Sequence, residues 1–348
     1  MSSSAPSPRI RTAVIGASGF TGAELLRLAD RHPYLDVTHL SAASNAGQLV
    51  SDVHPSLVAS HGDQRFAEVD IDAVDGFDLV FLGLPHEASL ELVPQLVGRV
   101  GCVVDLSAAF RLKDASSYPQ WYGFEHDQPA LLESAVYGLP EFHRAELAGA
   151  RLIATPGCYV TAAILALRPL VASGIVQRQG IVVDGASGVT GAGRRAEIAY
   201  SFTTVDENLT AYGLVSHRHT PEMEQEIGAR LLFTPHLVPM NRGILATCYS
   251  SPVDASGMSD AAVLAQLREA YVDEPFVRVI ESIPGTKATM GSNLALITGR
   301  YDARTNTVIT ICAIDNLTKG ASGGAVQAAN VALGLDEQAG LARIGVAP

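Results

Sequence analysis

The chain has 348 residues, of which 47% are hydrophobic, which is enough for two domains with large buried cores. Its 36 acidic residues outnumber its 24 Lys and Arg residues and give a net charge of -12, which argues against nucleic acid and anionic membranes as partners. No apolar stretch reaches the roughly 18 residues of a membrane span, and the first eight residues read as a loose tail rather than a signal peptide. Four scattered cysteines exclude a disulfide scaffold. We therefore expect a soluble, cytoplasmic protein of the size of an enzyme.

Short apolar runs alternate with helical stretches in the first 150 residues. The predicted strands cover residues 9–15, 37–41, 79–84 and 102–105. A helix is predicted from Thr21 to Arg31, ended by His32-Pro33. Strands that are apolar on both faces and separated by helices indicate a parallel sheet covered on both sides. The sequence thus predicts an α/β domain with a doubly wound, Rossmann-like sheet over residues 1–157.

Strands dominate the second half of the chain. They are predicted at residues 181–186, 231–239, 243–250, 293–301 and 307–314. One amphipathic helix, 260–272, lies among them. Strands with few intervening helices favour a mostly antiparallel sheet, so residues 158–317 are predicted to form an α+β domain. The last segment, 318–348, contains a helical stretch that we expect to pack back on the first domain.

A glycine-rich loop joins the first strand to the first helix. It reads Gly16-Ala-Ser-Gly-Phe-Thr-Gly22. Glycines at such a junction let backbone N–H groups and the helix N-terminus hold a pyrophosphate. The pattern predicts a dinucleotide site; a tight turn without a ligand is the alternative. The residues predicted to contact the cofactor here are Gly16, Ser18, Gly19, Phe20, Thr21 and Gly22.

The end of the second strand indicates which dinucleotide binds. An Asp or Glu about 20 residues past the loop normally holds the ribose 2′-hydroxyl, but residues 40–47 contain no acid. Ser44 and Asn45 offer hydroxyl and amide groups that suit a 2′-phosphate, which a carboxylate would repel. We therefore expect NADP (NADPH) rather than NAD. The alternative is a solvated loop.

Cys158 differs from the other three cysteines because it stands at the predicted start of a helix. It follows Thr155-Pro-Gly157, whereas Cys102, Cys248 and Cys312 lie in apolar strand patterns typical of inert core thiols. Unpaired N–H groups and the helix dipole stabilise a thiolate at a helix start. The placement predicts a nucleophile, although position alone leaves a structural cysteine possible.

A partner for such a nucleophile is offered by Ser216-His-Arg-His-Thr-Pro-Glu222. It places His217, His219 and Glu222 within six residues, just before a helix that begins near Pro221. An imidazole is a suitable acid/base group for a thiol nucleophile. A zinc site and a solvated loop are the alternatives, but no paired Cys or His motif supplies the further ligands of structural zinc, so no metal is expected.

A second glycine-rich segment, Ser187-Gly-Val-Thr-Gly-Ala-Gly-Arg-Arg195, follows the strand that ends at Ala186. A flexible backbone with two arginines at a strand end predicts an anion or cofactor loop, with an ordinary surface loop as the alternative.

Together these motifs resemble one known family. The segments that carry the resemblance are Gly16-Ala-Ser-Gly-Phe-Thr-Gly22, Thr155-Pro-Gly-Cys-Tyr159, Gly188-Val-Thr-Gly-Ala-Gly-Arg194, His217-Arg-His-Thr-Pro-Glu222 and Ala313-Ile-Asp-Asn-Leu-Thr-Lys-Gly320. In this order they are similar to N-acetyl-gamma-glutamyl-phosphate reductase, the NADPH-dependent enzyme of arginine biosynthesis, which is related to aspartate-semialdehyde dehydrogenase. The resemblance runs from about residue 10 to the C-terminus.

The resemblance implies an acyl phosphate substrate that is reduced to an aldehyde with release of phosphate, and a homo-oligomer, a dimer or a tetramer. It implies Cys158 as nucleophile and His217 as the usual acid/base candidate. We expect Glu222 and His219 to orient His217, and the sequence leaves open whether His217 or His219 is the acid/base group. Arg111, Arg194 and Arg242 are candidates for binding the substrate carboxylate and phosphate, with ordinary surface arginines as the alternative. Further cofactor contacts are expected from Ser107, Gly188 and Asn316.

Two positions depart from the family pattern. Ala109 stands where aspartate is common, and Thr190 stands where serine is common. Neither is the proposed nucleophile or base, so both concern substrate contacts rather than the reaction. Two other functions remain open: an aspartate-semialdehyde dehydrogenase, and a non-catalytic NADP-binding regulator. The presence of both Cys158 and the histidine pair argues against the regulator.

Overall fold

The computed structural model describes residues 9–194 and 196–347, so the predicted tail of residues 1–8 lies outside the described part of the chain. The described residues form two compact units. The first contains residues 9–113, 126–155 and 322–341, and the second contains residues 114–125, 156–321 and 342–347.

The first unit is built on a six-stranded parallel sheet. Its strands are β1 (Ile10–Ile15), β2 (Leu35–Ser41), β3 (Leu79–Leu82), β4 (Cys102–Asp105), β5 (Val136–Tyr137) and β6 (Leu152–Ala154). They lie in the order β2-β1-β3-β4-β6-β5. Every residue of β3 and β4 is buried, as expected for strands covered on both faces. The doubly wound sheet predicted from the sequence is confirmed.

The strand order reverses between β1 and β3, because β2 lies on one side of β1 and the later strands lie on the other. Ligands of doubly wound sheets bind at such a reversal, outside the carboxyl ends of the strands. The glycine-rich loop of residues 16–22 follows the carboxyl end of β1 and therefore stands at this point.

Helices occur in both units. They are α1 (Phe20–Asp30), α2 (Val50–Val53), α3 (His86–Leu96), α4 (Tyr118–Tyr122), α5 (Pro129–Ser134), α6 (Pro140–Leu147), α7 (Cys158–Ala172), α8 (Phe202–Val205), α9 (Thr220–Ile227), α10 (Asp260–Ala270) and α11 (Gly323–Ala332). In the first unit α11 packs against α1 and α6. No helix among the described residues has both the length and the apolar character needed to cross a lipid bilayer.

The second unit contains a seven-stranded mixed sheet. Its strands are β7 (Ile181–Gly188), β8 (Thr210–Ala211), β9 (Leu231–Val238), β10 (Ile244–Ser250), β11 (Val277–Val279), β12 (Ala295–Asp302) and β13 (Thr307–Ile314). They lie in the order β11-β12-β13-β10-β7-β9-β8. The β7–β9 and β11–β12 pairs are parallel and the other neighbours are antiparallel. The predicted α+β unit with a mostly antiparallel sheet is confirmed.

The core of the second unit lies between this sheet and α7. This helix is mostly apolar and is buried almost throughout. It packs on β10 and β13, while α10 packs on β12. Its first residue, Cys158, therefore stands at the end of a rigid, buried element.

The two units differ from the predicted domain bounds at residues 114–125, 156–157, 318–321 and 342–347. Residues 114–125 group with the second unit, where the Tyr122 hydroxyl donates to the carbonyl oxygen of Arg218 at 3.1 Å. Of the C-terminal segment, residues 342–347 also group with the second unit, because the N–H of Asn293 donates to Ala342 O and that of Val346 to Met290 O, each at 2.8 Å.

Candidate active site

Cys158 is the first residue of α7 and is partly exposed, whereas the other three cysteines are buried. Burial raises the pKa of the Cys102 and Cys248 thiols to about 12, so both stay protonated at neutral pH. The N–H groups of the first turn of α7 and its dipole favour a thiolate at position 158. Cys158 is thus the thiol whose surroundings suit nucleophilic chemistry.

Both backbone groups of Gly157, the residue that caps α7, form hydrogen bonds. Its N–H donates to Oε1 of Glu222 at 3.0 Å, and Glu222 is completely buried on α9. Its carbonyl oxygen accepts the N–H and the hydroxyl of Thr161 at 2.9 and 3.1 Å. The backbone that carries Cys158 is therefore fixed, and the observed contact of Glu222 is to this backbone.

His219 packs directly on Gly157. A Cβ at residue 157 would lie 2.5 Å from Nε2 of His219, closer than real Cβ contacts. The imidazole of His219 is thus one residue from the thiol-bearing Cys158. Only glycine leaves room for it.

His217 lies in an aromatic cluster beside His219. Its ring centre is 4.7 Å from that of His219, and the rings of Tyr159 and Phe233 lie edge-on at 6.0 and 5.1 Å. Nδ1 of His217 accepts the backbone N–H of His219 at 3.1 Å. Because Nδ1 is an acceptor, a neutral His217 carries its proton on Nε2.

The same surroundings set the charge of His217. Burial among the aromatic rings, reinforced by the nearby positive charge of Arg218, lowers the pKa of His217 to about 4. The imidazole is therefore neutral above about pH 5. Its chemistry at neutral pH is that of an Nε2–H donor.

The segment of residues 315–320 passes beside Cys158. A Cβ at Gly320 would lie 2.9 Å from Cβ of Cys158, so this segment passes directly against the thiol-bearing residue. Asp315 is completely buried and accepts Nε and Nη2 of Arg242, each at 3.0 Å. Its Oδ1 also accepts the N–H groups of Leu317 and Thr318. The Asp315 carboxylate therefore fixes both this segment and the guanidinium of Arg242.

The second glycine-rich loop is joined to the same segment. Oδ1 of Asn316 accepts the N–H of Gly243 at 2.7 Å, and Nδ2 of Asn316 donates to Oγ1 of Thr190 at 3.0 Å. The Thr190 hydroxyl in turn donates to Asn241 O at 2.6 Å. A serine would offer the same hydroxyl, so the departure at residue 190 preserves these hydrogen bonds.

Gly188 and Arg194 flank this loop. A Cβ at Gly188 would lie 2.7 Å from the carbonyl oxygen of Asn241, so the loop needs glycine there. Arg194 is exposed, and Arg195 lies outside the described residues. The structure thus places Gly188, Arg194, Arg242 and Asn316 in the second unit with Cys158.

The first glycine-rich loop lies in the first unit. Gly16 has φ +87°, and a Cβ there would lie 2.4 Å from Gly83 O; a Cβ at Gly22 would lie 2.5 Å from Cα of Ala17. A Cβ at Gly19 would meet only Gly16 O, at 3.7 Å. The outer two glycines thus permit close packing of strand and helix, and Gly19, the cap of α1, leaves the loop open to a ligand.

This loop is attached to the end of β2. The N–H groups of Gly16 and Ala17 both donate to Ser41 O at 2.9 Å. The carbonyl oxygens of Ser18 and Thr21 accept Nε2 of His54 and Oγ of Ser322. Phe20 is the first residue of α1. The N–H groups of the first turn of a helix have no intrahelical acceptor.

Ser107 and Arg111 are engaged within the first unit. The N–H and hydroxyl of Ser107 donate to the two oxygens of Asp105, at 2.9 and 2.7 Å. Burial raises the pKa of Asp105, and the hydrogen bonds from Ser107 oppose that rise. Arg111 is buried and donates from Nη2 to Leu106 O at 2.9 Å. Ala109, the other departure, has a fully buried side chain.

The contact between His219 and Gly157 makes a testable prediction. Gly157→Ala places a methyl group within 2.5 Å of Nε2 of His219 and so displaces the imidazole or the start of α7. We expect about a 10²-fold loss of kcat, since a displacement of about 1 Å can have that effect. Gly285→Ala is the matched control, because a Cβ at residue 285 meets nothing within 4 Å. Steady-state kinetics of both variants measure the loss of kcat, and thermal unfolding measures their stability. Full activity of Gly157→Ala would contradict the packing of His219 on Gly157.

Models of two domain families match the chain. The "Semialdehyde dehydrogenase, NAD binding domain" matches residues 11–150, and the "Semialdehyde dehydrogenase, dimerisation domain" matches residues 158–316. The chain is 43% identical to the N-acetyl-gamma-glutamyl-phosphate reductase of Heliobacterium modesticaldum and 44% identical to that of Geobacter sulfurreducens. Each alignment covers 97% of this chain and all of the relative.

The chain belongs to the N-acetyl-gamma-glutamyl-phosphate reductase family. Its fold is shared with more distant proteins of known structure. Aspartate semialdehyde dehydrogenase II from Vibrio cholerae superposes with a TM-score of 0.69 at 18% identity, over 93% of this chain and 98% of that one. Aspartate semialdehyde dehydrogenase with NADP from Candida albicans superposes with a TM-score of 0.67 at 15% identity, over 93% and 98% of the two chains. The reductase family and the semialdehyde dehydrogenases thus have one fold.

Three residues that shape the site around Cys158 were not identified as site residues from the sequence. They are Gly157, Gly320 and Asp315, and none of them carries the chemistry itself. Gly157 and Gly320 both stand within the quoted motifs, but a glycine in a sequence does not show which group packs against it. Among the described residues no group of three or more His, Cys, Asp or Glu side chains is arranged to hold a metal ion.

Proposed function

We propose that this protein reduces N-acetyl-gamma-glutamyl phosphate to N-acetylglutamate semialdehyde and phosphate with NADPH, in arginine biosynthesis. The observation that carries the proposal is Cys158 at the start of α7, with the backbone before it held by Glu222 and covered by His219. This arrangement has the parts needed for acyl transfer to a thiol, and it occurs in a chain of the reductase family.

Cys158 is the proposed nucleophile. Its Sγ attacks the acyl carbon, the carbon–oxygen bond to phosphate breaks, and the acyl group remains on sulfur as a thioester. This splits one difficult reduction into two easier steps. Collapse of the thiohemiacetal that forms on reduction breaks the carbon–sulfur bond and returns the thiolate to the α7 N-terminus, where the dipole stabilises it.

His217 is the proposed hydrogen-bond donor to the reacting oxygen of the substrate. Its Nε2–H is suited to hydrogen-bond the substrate oxygen that gains negative charge, and so to stabilise the oxyanion. Its Nδ1 is already occupied by the N–H of His219 and its pKa is about 4, so it is poorly suited to take the thiol proton at neutral pH. The role proposed for His217 is therefore hydrogen-bond donation from Nε2–H, without the uptake of the thiol proton that was expected from the sequence. His219 and Glu222 act through the backbone at Gly157.

Three arginines are proposed to bind the anionic groups of the substrate. Arg194 and Arg242 lie in the unit that contains Cys158, and Arg111 lies in the first unit. A guanidinium binds a carboxylate or phosphate through two parallel hydrogen bonds. Arg242 is fixed by Asp315 through its Nε and Nη2 atoms, so Asp315 sets the orientation of the guanidinium.

The cofactor proposed is NADPH, which supplies a hydride when bound. The open Gly19 and the N-terminus of α1 fit its pyrophosphate. Ser44 and Asn45, in a turn without carboxylates after β2, suit its 2′-phosphate. Ser107, Gly188 and Asn316 are proposed as further contacts, although the observed hydrogen bonds of Ser107 and Asn316 are to the protein itself.

The turn after β2 predicts the cofactor preference. Hydrogen bonds to a charged group contribute roughly 1.5–3 kcal/mol each. One or two of them favour NADPH over NADH by about 10- to 10⁴-fold in kcat/KM. We expect Ser44→Asp to shrink this ratio, since its carboxylate repels the 2′-phosphate. Steady-state kinetics with both cofactors measure the change; equal kcat/KM values for NADH and NADPH in the unmodified protein would contradict this function of the turn.

The activity itself is tested in the reverse direction. The protein is incubated with N-acetylglutamate semialdehyde, NADP and phosphate, and NADPH formation is followed by absorbance. Phosphate-dependent turnover supports the proposal. Turnover with aspartate semialdehyde but not with the N-acetylated substrate would identify an aspartate-semialdehyde dehydrogenase, and stoichiometric cofactor binding without turnover would identify a regulator.

Assembly and location complete the proposal. Residues 158–316 match a domain family described as a dimerisation domain, which supports a homo-oligomer, a dimer or a tetramer. The free cysteines support a reducing compartment, the cytoplasm.

A further inference from the structure

Arg65 lies beside the turn that follows β2. The segment 65–67 runs along the end of this strand: the N–H of Ala67 donates to Leu40 O at 2.8 Å, and the N–H of Ala42 donates to Ala67 O at 3.0 Å. Arg65 therefore borders the carboxyl end of β2 although it is 24 residues beyond it in the chain. Doubly wound sheets hold the adenosine ribose at this end of the second strand.

The position of Arg65 is fixed by four hydrogen bonds in the same turn. The N–H of Gly47 donates to Phe66 O, the N–H of Phe66 donates to Gln48 O, and the N–H of Val50 donates to Gln64 O, at 2.8 to 3.0 Å. The fourth bond comes from the side chain, because Nη1 of Arg65 donates to the carbonyl oxygen of Gly47 at 2.7 Å. The guanidinium is thus held over the turn instead of extending into solvent.

Asn45 and Ser44 belong to this same turn. The N–H of Gln48 donates to Asn45 O at 3.1 Å, and Nδ2 of Asn45 donates to Oε1 of Gln48 at 3.2 Å, so the turn closes on itself around Gly47. Asn45 is two residues from Gly47, which limits their Cα separation to about 7.6 Å. The hydroxyl and amide of Ser44 and Asn45 and the guanidinium of Arg65 therefore serve one small region.

The charge of Arg65 is not balanced by an acid. Among the described residues no carboxylate forms an ion pair with Arg65, and its side chain is exposed. Other arginines of this unit, such as Arg27, Arg99 and Arg144, are paired with glutamate or aspartate. An exposed arginine that is oriented and lacks a carboxylate partner is suited to bind an anion with its other N–H groups.

We infer that Arg65 is a specificity-determining residue that binds the 2′-phosphate of NADP, together with Ser44 and Asn45. This inference rests on the proposed function, since it presupposes that the turn after β2 receives the adenosine ribose. It adds the positive charge that the turn itself lacks. Hydroxyl and amide groups form hydrogen bonds with either a ribose hydroxyl or a phosphate, whereas the positive charge of a guanidinium favours the phosphate.

The inference is tested by binding, independently of turnover. Isothermal titration of the full chain compares adenosine 2′,5′-bisphosphate with AMP, which lacks the 2′-phosphate. We expect Arg65→Gln to weaken the bisphosphate by about 10- to 100-fold, the range for losing a hydrogen bond to a charged group, and to leave AMP unchanged. Unchanged AMP affinity also shows that the turn remains folded. Arg65→Lys, which keeps the charge but not the fork, is expected to lie between the two.

Arg151→Gln is the matched control. Arg151 is also exposed and lies in the first unit, but it precedes β6 and so stands at the amino edge of the sheet, opposite the carboxyl ends. It removes the same charge without touching the turn. Equal loss of bisphosphate affinity in Arg151→Gln and Arg65→Gln would overturn the inference in favour of a general charge effect.

The outcomes separate this inference from the proposed function. If the unmodified protein binds adenosine 2′,5′-bisphosphate no better than AMP, the preference for NADP itself is wrong. If it binds the bisphosphate more tightly but Arg65→Gln changes nothing, the preference stands and the role of Arg65 is wrong.

Discussion

Cys158→Ala is expected to abolish turnover while leaving NADPH affinity nearly unchanged. Without Sγ no thioester forms, and removal of an enzyme nucleophile can lower kcat by as much as about 10⁶. The cofactor residues of the first unit are untouched, and the methyl group of alanine fits at the first position of a helix. Fluorescence titration with NADPH and phosphate-dependent kinetics measure the two effects. A variant that retains more than a trace of turnover would refute the covalent mechanism.

Alkylation provides an independent measurement of the same thiol. Iodoacetamide should label Cys158 first, at a pH below the ordinary thiol value of about 8.5, because the α7 N-terminus favours its thiolate. Cys248 is the internal control, since burial raises the pKa of its thiol to about 12 and shields it from the reagent. Peptide mass spectrometry identifies the labelled residue. Labelling of Cys248 before Cys158 would show that the helix start does not activate the thiol.

Substitution of His217 is expected to give the second largest loss of kcat, after substitution of Cys158. His217→Ala should lower kcat by about 10²- to 10³-fold, the range for losing one hydrogen-bond donor that stabilises an oxyanion. His217→Gln should retain much more activity than His217→Ala, because the glutamine amide keeps an N–H near the position of Nε2. If His217 instead took the thiol proton, glutamine would be as damaging as alanine.

The pH dependence tests the same assignment. Since the pKa of His217 is lowered to about 4, this residue is neutral from pH 5 upward and gains a proton only as the pH falls towards 4. The second proton must go to Nδ1, which faces the N–H of His219, so the geometry opposes it. We expect no limb of the kcat/KM profile between pH 5 and 8 to disappear in His217→Gln. A limb that disappears in His219→Ala but not in His217→Ala would transfer the acid/base role to His219.

Nitrogen NMR of labelled histidine would observe the tautomer directly. The hydrogen bond from the His219 backbone predicts a proton on Nε2 of His217 throughout neutral pH. Detection of the Nδ1–H form would exclude the donor role in the resting protein, whatever the kinetics of the variants.

Several features of this protein followed from the sequence by itself. The strands Cys102–Asp105 and Thr307–Ile314 match their predicted bounds, because both are rich in apolar and β-branched residues and are bounded by turns or loops. The position of Cys158 at a helix start was also readable, since Pro156-Gly157 interrupts the chain immediately before a long apolar helix. These are local properties, decided by residues within a few positions of one another.

Short strands and the pairing of distant strands could not be predicted from the sequence. The strands Val136–Tyr137 and Leu152–Ala154 of the first sheet have two and three residues, too few to show a period. The parallel pairing of β7 with β9 was also not predicted. The two strands follow one another among the predicted strands, but a long segment of chain lies between them, and no local pattern shows whether they pair in parallel. Sheet order depends on which strands pack together, which no local pattern contains.

The contacts that shape the thiol site were decided only by the tertiary structure. Glu222 is 65 residues from the glycine whose N–H it accepts, and Asp315 is 73 residues from the arginine it binds. The sequence marked Glu222 and Arg242 as chemical groups, but it did not identify the Gly157 N–H or the Asp315 carboxylate as their partners. The residue types defined what each group is able to do. Packing of α7, α9 and the sheet decided which partner each one meets, because a buried charge or N–H must be satisfied by whichever group the fold brings within hydrogen-bonding distance.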